Sequence, residues 1–196
     1  MPIQRLAPQD FDAVPWKNGL GVSTTIAGAC FPGHVPGDWS GVIWQFGRAR
    51  IATPSRFSDL TGYDRVQIVI GGSGLLLETP DALIDVRVPF RPVRYDGGTP
   101  ITSRLENGPV DVLNLIARRE HCDIDLVCPI AGEPISLPAG INVVYAFENP
   151  AQLRMMIRGE PETDEVLLAG HALVLNGAMT CLPASGRVAI ASISRK

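Results

Sequence analysis

RVQIVIGGSGLLLE, residues 65–78, joins two short apolar runs through a group of glycines. Runs of four to eight Val, Ile and Leu residues bounded by Gly or Pro are typical of β-strands. A phosphate-binding loop or a nucleophile elbow would need a helix directly after the glycines, and LLLETP follows instead. The stretch therefore predicts two strands joined by a hairpin turn at Gly71–Gly74.

The same punctuation continues along the chain, where 20 Gly and 17 Pro among 196 residues separate short apolar runs. No three-turn stretch carries a single apolar stripe, and only Pro8–Val14 offers a short helical turn. The pattern predicts an all-β sandwich or barrel. The candidate strands are Gly41–Ala52, Arg65–Ile70, Leu75–Thr79, Leu83–Val88, Val110–Ala117, Asn142–Phe147, Leu153–Ile157, Ala172–Leu175 and Arg187–Ile193.

Composition excludes several classes of protein. Apolar residues make up 45% of the chain and charged residues 19%, which is incompatible with extensive disorder. A net charge of −3 provides no overall positive field for nucleic acid or anionic membranes. The first sixteen residues contain acids and prolines instead of an apolar signal sequence, and no run of 18 apolar residues occurs, so we expect a cytoplasmic protein.

Metal-binding and nucleophilic motifs are missing from the sequence. The histidines His34, His121 and His171 are far apart, and the four cysteines form no C-x-x-C pair. We therefore expect no metal and no cofactor, with reduced and mostly buried thiols. An enzyme that uses Asp64, Lys17 or a metal held by distant residues stays open as the alternative.

The segment Trp16–Thr24 is the first candidate binding region. Trp16 offers an aromatic wall, Lys17 an ammonium group for an anion, and Asn18 both a donor and an acceptor. Its glycines permit close approach of a ligand to the backbone. The alternative is an ordinary glycine-containing turn with Trp16 in the core.

A second polar group lies on the predicted strands. Asn114 alternates with Val112 and Ile116, which places its amide among apolar neighbours, and Arg65 begins another strand. Arginine binds carboxylates through two parallel hydrogen bonds, so this group indicates a small anionic ligand. The alternatives are a core amide satisfied by backbone groups at Asn114 and a solvated strand end for at least one of Arg118 and Arg119.

Several stretches together resemble the HutD/Ves family. They are WKNGLGVSTTIA (16–27), VIWQFGRARIA (42–52), SRFSDLTGYDRVQIVIGGSGLLL (55–77), PFRPVRYDGG (89–98) and LENGPVDVLNLIARR (105–119). The resemblance implies a bicupin, with a first cupin-like barrel over residues 1–120 that holds the ligand pocket and a smaller second barrel over residues 121–196. The N-terminal strands could exchange into the second barrel.

The same resemblance implies a metal-free small-molecule-binding regulator of histidine utilisation, with N-formylglutamate or a related acid as ligand. The composition predicts no nucleic-acid or membrane partner, and a homodimer stays open for a compact β-protein. The alternatives are a cupin-type isomerase or hydrolase acting on a small carboxylic acid, and a scaffold that binds a protein through a sheet edge. Carried onto this chain, the ligand-binding candidates are Trp16, Lys17, Asn18, Thr24, Trp44, Arg65, Asn114 and Arg119.

Overall fold

The computed structural model describes residues 3–15 and 22–196, and this part of the chain is almost entirely β-structure. The predicted all-β class is confirmed. Two short 3₁₀ turns lie at Pro8–Asp10 and Trp39–Gly41. The strands are β1 (Gln4–Leu6), β2 (Asp12–Pro15), β3 (Val22–Cys30), β4 (Val42–Ile51), β5 (Tyr63–Glu78), β6 (Leu83–Asp85), β7 (Val93–Asp96), β8 (Thr102–Arg118), β9 (Cys122–Val127), β10 (Ile135–Leu137), β11 (Ile141–Ala146), β12 (Ala151–Met156), β13 (Thr163–Leu167), β14 (Ala172–Asn176), β15 (Met179–Ser185) and β16 (Val188–Arg195).

The chain divides into two compact units. The larger contains the described residues of 12–124 together with Lys196, and the smaller contains residues 3–11 and 125–195. Strand β1 belongs to the smaller unit, where it pairs antiparallel with β14. None of the helices in residues 3–15 and 22–196 is long and apolar enough to cross a membrane.

One antiparallel sheet forms the larger unit. Its strands follow the order β2-β3-β4-β8-β5-β6, and β7 also pairs with β5. The two longest strands, β5 and β8, lie side by side, so their side chains define the middle of the sheet.

The predicted hairpin at Gly71–Gly74 is wrong. Strand β5 runs through the glycines without reversing, and β8 pairs with it on both sides of them. The register shifts twice between Val69 and Ser73, which indicates β-bulges. Gly72 has a φ of 90°, and a Cβ there would lie 2.3 Å from the carbonyl oxygen of Pro109, so the glycines permit a bulge where we predicted a turn.

The smaller unit contains a sheet of order β10-β15-β12-β13 and a sheet in which β14, β11 and β16 lie side by side. Strand β12 shows why these segments form strands, since Ala151, Leu153 and Met155 are buried while the residues between them are exposed. Together with residues such as Leu173 and Ile190, they form one apolar cluster inside this unit.

We predict that Gly47→Ala destabilises the protein. Gly47 lies in β4, and a Cβ at this position would meet the backbone carbonyl oxygen of Thr24 at 2.6 Å. Overpacking against backbone costs about 1–3 kcal/mol in the free energy of unfolding. The midpoint of thermal unfolding, measured by circular dichroism, should fall by about 2–4 °C for each kcal/mol.

Gly71→Ala is the matched control, because a Cβ there would meet its nearest neighbour, Asp111, at an ordinary 3.6 Å. We expect its midpoint to stay within a degree or so of the wild type. Equal midpoints for the two variants would contradict the tight approach of β3 to Gly47.

Candidate functional site

Polar side chains collect on one face of the large sheet. Residues directly opposite one another in neighbouring strands share a face, and the register aligns Thr25, Gly47, Asn114 and Gln67 across β3, β4, β8 and β5. We call this the polar row, and the side of the sheet that carries it the Arg65 face. The next row on that face contains Gln45, Ile116, Arg65 and Tyr95.

Apolar clusters flank the polar row along the strands. On one side Val69, Val112 and Ala49 belong to a buried cluster, and on the other Ile116 and Tyr63 belong to a second. The polar atoms between them are therefore shielded from water. Gln67 is fully buried, whereas Thr25 and Asn114 are half-buried.

Three buried polar atoms in this region have no hydrogen-bond partner within the described part of the chain. They are Nε of Arg65, Nε2 of Gln67 and Oδ1 of Asn114. Elsewhere in the described chain, Nδ1 of His34 is also buried without a partner. An unsatisfied buried polar group costs about 1–3 kcal/mol, and most such groups in native proteins are paired. Their concentration on one face makes this face the candidate binding site.

Arg65 is the cation of this site. Arg65 is only 8% exposed, and its guanidinium lies over the rings of Phe57 and Tyr95. The guanidinium carbon, Cζ, is 4.9 Å from the centroid of the Phe57 ring and 5.2 Å from that of Tyr95. Among residues 3–15 and 22–196, no carboxylate lies within ion-pair distance of it. Buried charges in proteins are usually paired with opposite ones, so this arrangement marks Arg65 as a candidate anion-binding group.

Both aromatic rings are held firmly in place. Tyr95 lies directly opposite Arg65 in the β7–β5 pairing. Phe57 lies in the segment before β5, and its N–H donates to the carbonyl oxygen of Ile101 over 2.9 Å. Ser55 is fastened to Ser103 by backbone and side-chain hydrogen bonds. The guanidinium is therefore positioned between two fixed surfaces.

Gln67 is held by the same tyrosine. The hydroxyl of Tyr95 donates a hydrogen bond of 2.6 Å to Oε1 of Gln67. Burial raises the pKa of Tyr95, an effect that the nearby charge of Arg65 only partly opposes, so the phenol stays protonated and acts as a donor. Sequence reasoning missed Gln67, although its position between Val66 and Ile68 carries the same signal as Asn114 among apolar neighbours.

The structure brings together two of the eight predicted ligand-binding residues, Arg65 and Asn114. Trp44 and Thr24 lie on the opposite face, because Trp44 pairs with Ala117 and Thr24 pairs with Arg48. In β3 it is Thr25, one residue further on, that shares the face of Asn114. Trp16, Lys17 and Asn18 lie outside the described residues.

Arg119 lies in a surface ion-pair network instead of the polar row. It donates to Asp64 over 2.8 Å and also to Asp96, and its side chain is 43% exposed. The hydrogen bonds and charges of these carboxylates raise the pKa of Arg119. The pKa of Asp96 is lowered, chiefly by a hydrogen bond from the N–H of Gly98 and also by the hydrogen bond and charge of Arg119. Asp64 is thus engaged in an ion pair on the face opposite Arg65.

Arg118 is a half-buried arginine with several partners. It donates to the hydroxyl of Tyr63 over 2.8 Å and to the carbonyl oxygen of Ser40, and it lies over the rings of Phe31 and Tyr63. It also lies 3.7 Å from a carboxylate oxygen of Glu120. Its role is to fasten the strand ends.

Groups suited to metal or thiolate chemistry are dispersed. Within residues 3–15 and 22–196, no three His, Cys, Asp or Glu side chains come together as a metal site requires. The four cysteines are free thiols. Burial raises the pKa of Cys128 to about 12 and that of Cys181 to about 11, which makes both poor nucleophiles.

The smaller unit has a different interior. Its buried amide, Asn142, donates to the carbonyl oxygens of Pro138 and Gly177 and accepts from the hydroxyl of Ser192. The other buried side chains of this unit include a large apolar cluster. In the described chain, the unsatisfied amides therefore belong to the larger unit.

Two compact β-units in one chain, together with cupin-like neighbours among solved structures, define a bicupin-type protein. Oxalate decarboxylase from Bacillus subtilis shares the fold, with a TM-score of 0.57 at 9% identity over 98% of this chain and 77% of that one. The HutD family model matches residues 8–191, and the chain belongs to that family.

Individual relatives agree with this assignment. The structure of HutD from Pseudomonas fluorescens SBW25 has a TM-score of 0.80 at 23% identity, and the match covers 100% of both chains. An uncharacterized 21.2 kDa protein in the hutC 3′ region of Pseudomonas putida is 29% identical over 58% of this chain and 57% of its own length. Protein Ves of Citrobacter koseri is 29% identical over 55% of this chain and 53% of its own length. The alignments therefore span a little over half the length of these curated relatives.

We predict that Arg65→Met leaves the stability of the ligand-free protein unchanged or raises it. The methionine keeps apolar contact with Phe57 and Tyr95 while removing a buried charge that lacks a described partner. Urea unfolding at neutral pH measures the effect.

Arg118→Met serves as the comparison, because that arginine also lies over aromatic rings but has hydrogen-bond partners. We expect it to lose about 1–3 kcal/mol. An equal loss in Arg65→Met would mean that Arg65 supports the core and is not held for a ligand.

Proposed function

We propose that this protein binds a small anionic metabolite on the Arg65 face and does not transform it, with N-formylglutamate as the first candidate ligand. The observation that carries the proposal is the buried guanidinium of Arg65, which has two aromatic rings beside it and no described carboxylate within ion-pair distance.

The local chemistry supports an anion as the ligand. A carboxylate bound to the guanidinium would form charge-assisted hydrogen bonds, each worth about 1.5–3 kcal/mol, and would compensate the buried charge. Gln67 adds a neutral donor from the polar row. The chain as a whole has a net charge of −3, so the attraction is local to the site.

Recognition without catalysis fits the groups that surround Arg65. A general base must lie within about 2.6–3.2 Å of the proton it removes, and the polar row provides amides and a hydroxyl, which are poor bases at neutral pH. Asp64, which we considered as a base, is occupied by Arg119.

The names of the relatives support a role in histidine utilisation. One relative comes from the hutC region and one solved structure is HutD itself. A protein that binds an intermediate of that pathway without consuming it would act as a regulator of flux, in the cytoplasm where the intermediate is produced.

We predict that N-formylglutamate stabilises the wild-type protein against heat, in a screen that also includes glutamate, urocanate and imidazolone propionate. A ligand at one hundred times its Kd adds about 2.7 kcal/mol, which corresponds to a rise of about 5–10 °C for a chain of this size. Arg65→Met should abolish the rise, because the anion loses its cation.

Arg87→Met is the control, since Arg87 forms exposed ion pairs with Asp85 and Glu106 and should retain the full rise. NMR spectra of each acid after overnight incubation with the protein test for turnover. The absence of any rise with all four acids at millimolar concentration would contradict binding, and the appearance of product would contradict binding without chemistry.

A further inference from the structure

The amides of the polar row have a defined hydrogen-bond polarity. Tyr95 occupies Oε1 of Gln67 with a hydrogen bond of 2.6 Å, so the free end of that amide is the Nε2 donor. Asn114 leaves an acceptor, Oδ1, without a described partner. A donor and an acceptor therefore stand on neighbouring strands of the same face.

These two atoms are complementary, yet they do not bond to one another. Gln67 lies directly opposite Asn114 in the β5–β8 register, which places their Cβ atoms about 4.5–5.5 Å apart. Arg65 lies two residues before Gln67 in β5, about 6–7 Å away along the strand. A single small molecule can therefore contact the cation, the donor and the acceptor together.

We infer that Tyr95 is a positioning residue that holds the Gln67 amide in this orientation, and that the site selects carboxylic acids with a hydrogen-bond donor close to an acceptor oxygen. The inference rests on the proposed function. Arg65 takes the carboxylate, Nε2 of Gln67 donates to an oxygen of the ligand, and Oδ1 of Asn114 accepts an N–H or O–H from it.

This arrangement of one donor and one acceptor discriminates against acids that lack an N–H or O–H for Asn114. A plain dicarboxylate such as glutarate satisfies Arg65 and Gln67 but leaves Asn114 with its buried acceptor unpaired. Sites that are built to hydrogen-bond a polar group discriminate strongly against analogues that lack it, because the protein group then stays unsatisfied. If the Gln67 amide were free to turn, its oxygen would face the acid and this discrimination would weaken.

The ligand side is tested by calorimetric titration of the wild-type protein with N-formylglutamate, its N-methyl analogue and glutarate. We expect N-formylglutamate to bind about tenfold more tightly than either, as for one hydrogen bond. In Asn114→Leu this advantage should vanish while glutarate binds as before. Equal affinity of the wild type for all three would overturn the inference, whereas no binding of any of them would contradict the proposed function.

The role of Tyr95 is tested by a double-mutant cycle with Gln67. Tyr95→Phe keeps the ring beneath Arg65 but loses the hydroxyl, and we expect the Kd for N-formylglutamate to rise about three- to tenfold. In the Gln67→Leu background the same change should leave the Kd unaltered, because the hydroxyl acts through the amide.

Tyr63→Phe provides the control for the cycle, since that buried hydroxyl donates to the backbone carbonyl oxygen of Val42 and should leave the Kd unchanged. Two outcomes overturn the role of Tyr95: an unchanged Kd in Tyr95→Phe, and an equal loss in both backgrounds. The thermal midpoint of each variant without ligand shows that it is folded at the titration temperature.

Discussion

The guanidinium of Arg65 is a buried charge that two aromatic rings hold in place and that no described carboxylate neutralises. Removing such a group from water is costly, and the contacts with Phe57 and Tyr95 return only about 2 kcal/mol. The surrounding sheet must therefore be stable enough to bear this cost. In the proposed function an anion from solution would offset this cost, so that ligand binding and stabilisation of the protein would be one event.

The pairing of β5 and β8 along their whole length fixes the register of the sheet. This register keeps Arg65 on the same face as the polar row. A slip of one residue would move Arg65 and Gln67 to the face that carries Trp44. The apolar clusters on either side of the polar row oppose such a slip of β5, since Val69 and Tyr63 would then also leave their clusters. The residues that stabilise the sheet thus also fix which polar groups lie on the Arg65 face.

The all-β class could be predicted from the sequence, because short apolar runs between glycines and prolines indicate strands. Local periodicity also places the amide of Asn114 among apolar neighbours, and the chemistry of an arginine at a strand start singles out Arg65. Both residues lie on the Arg65 face, and ligand binding there stays a prediction. Trp44 and Arg119 could not be placed in this way, because the face of β4 depends on the register with β8, and the carboxylate partners of Arg119 are distant in sequence. The glycines of β5 misled for a related reason, since a bulge and a turn require the same positive φ.

The side-chain amides of Asn142 and Asn114 lie in similar β-structure but differ in their hydrogen bonding. Asn142 is satisfied by Pro138, Gly177 and Ser192, so its hydrogen bonds contribute to the stability of the smaller unit. Asn114 keeps an acceptor free. A satisfied amide specifies one packing arrangement, whereas an unsatisfied one favours whatever molecule completes it. The difference lies in the neighbouring groups and not in the residue type, so the unsatisfied atoms, more than composition, mark the larger unit as the candidate binding unit.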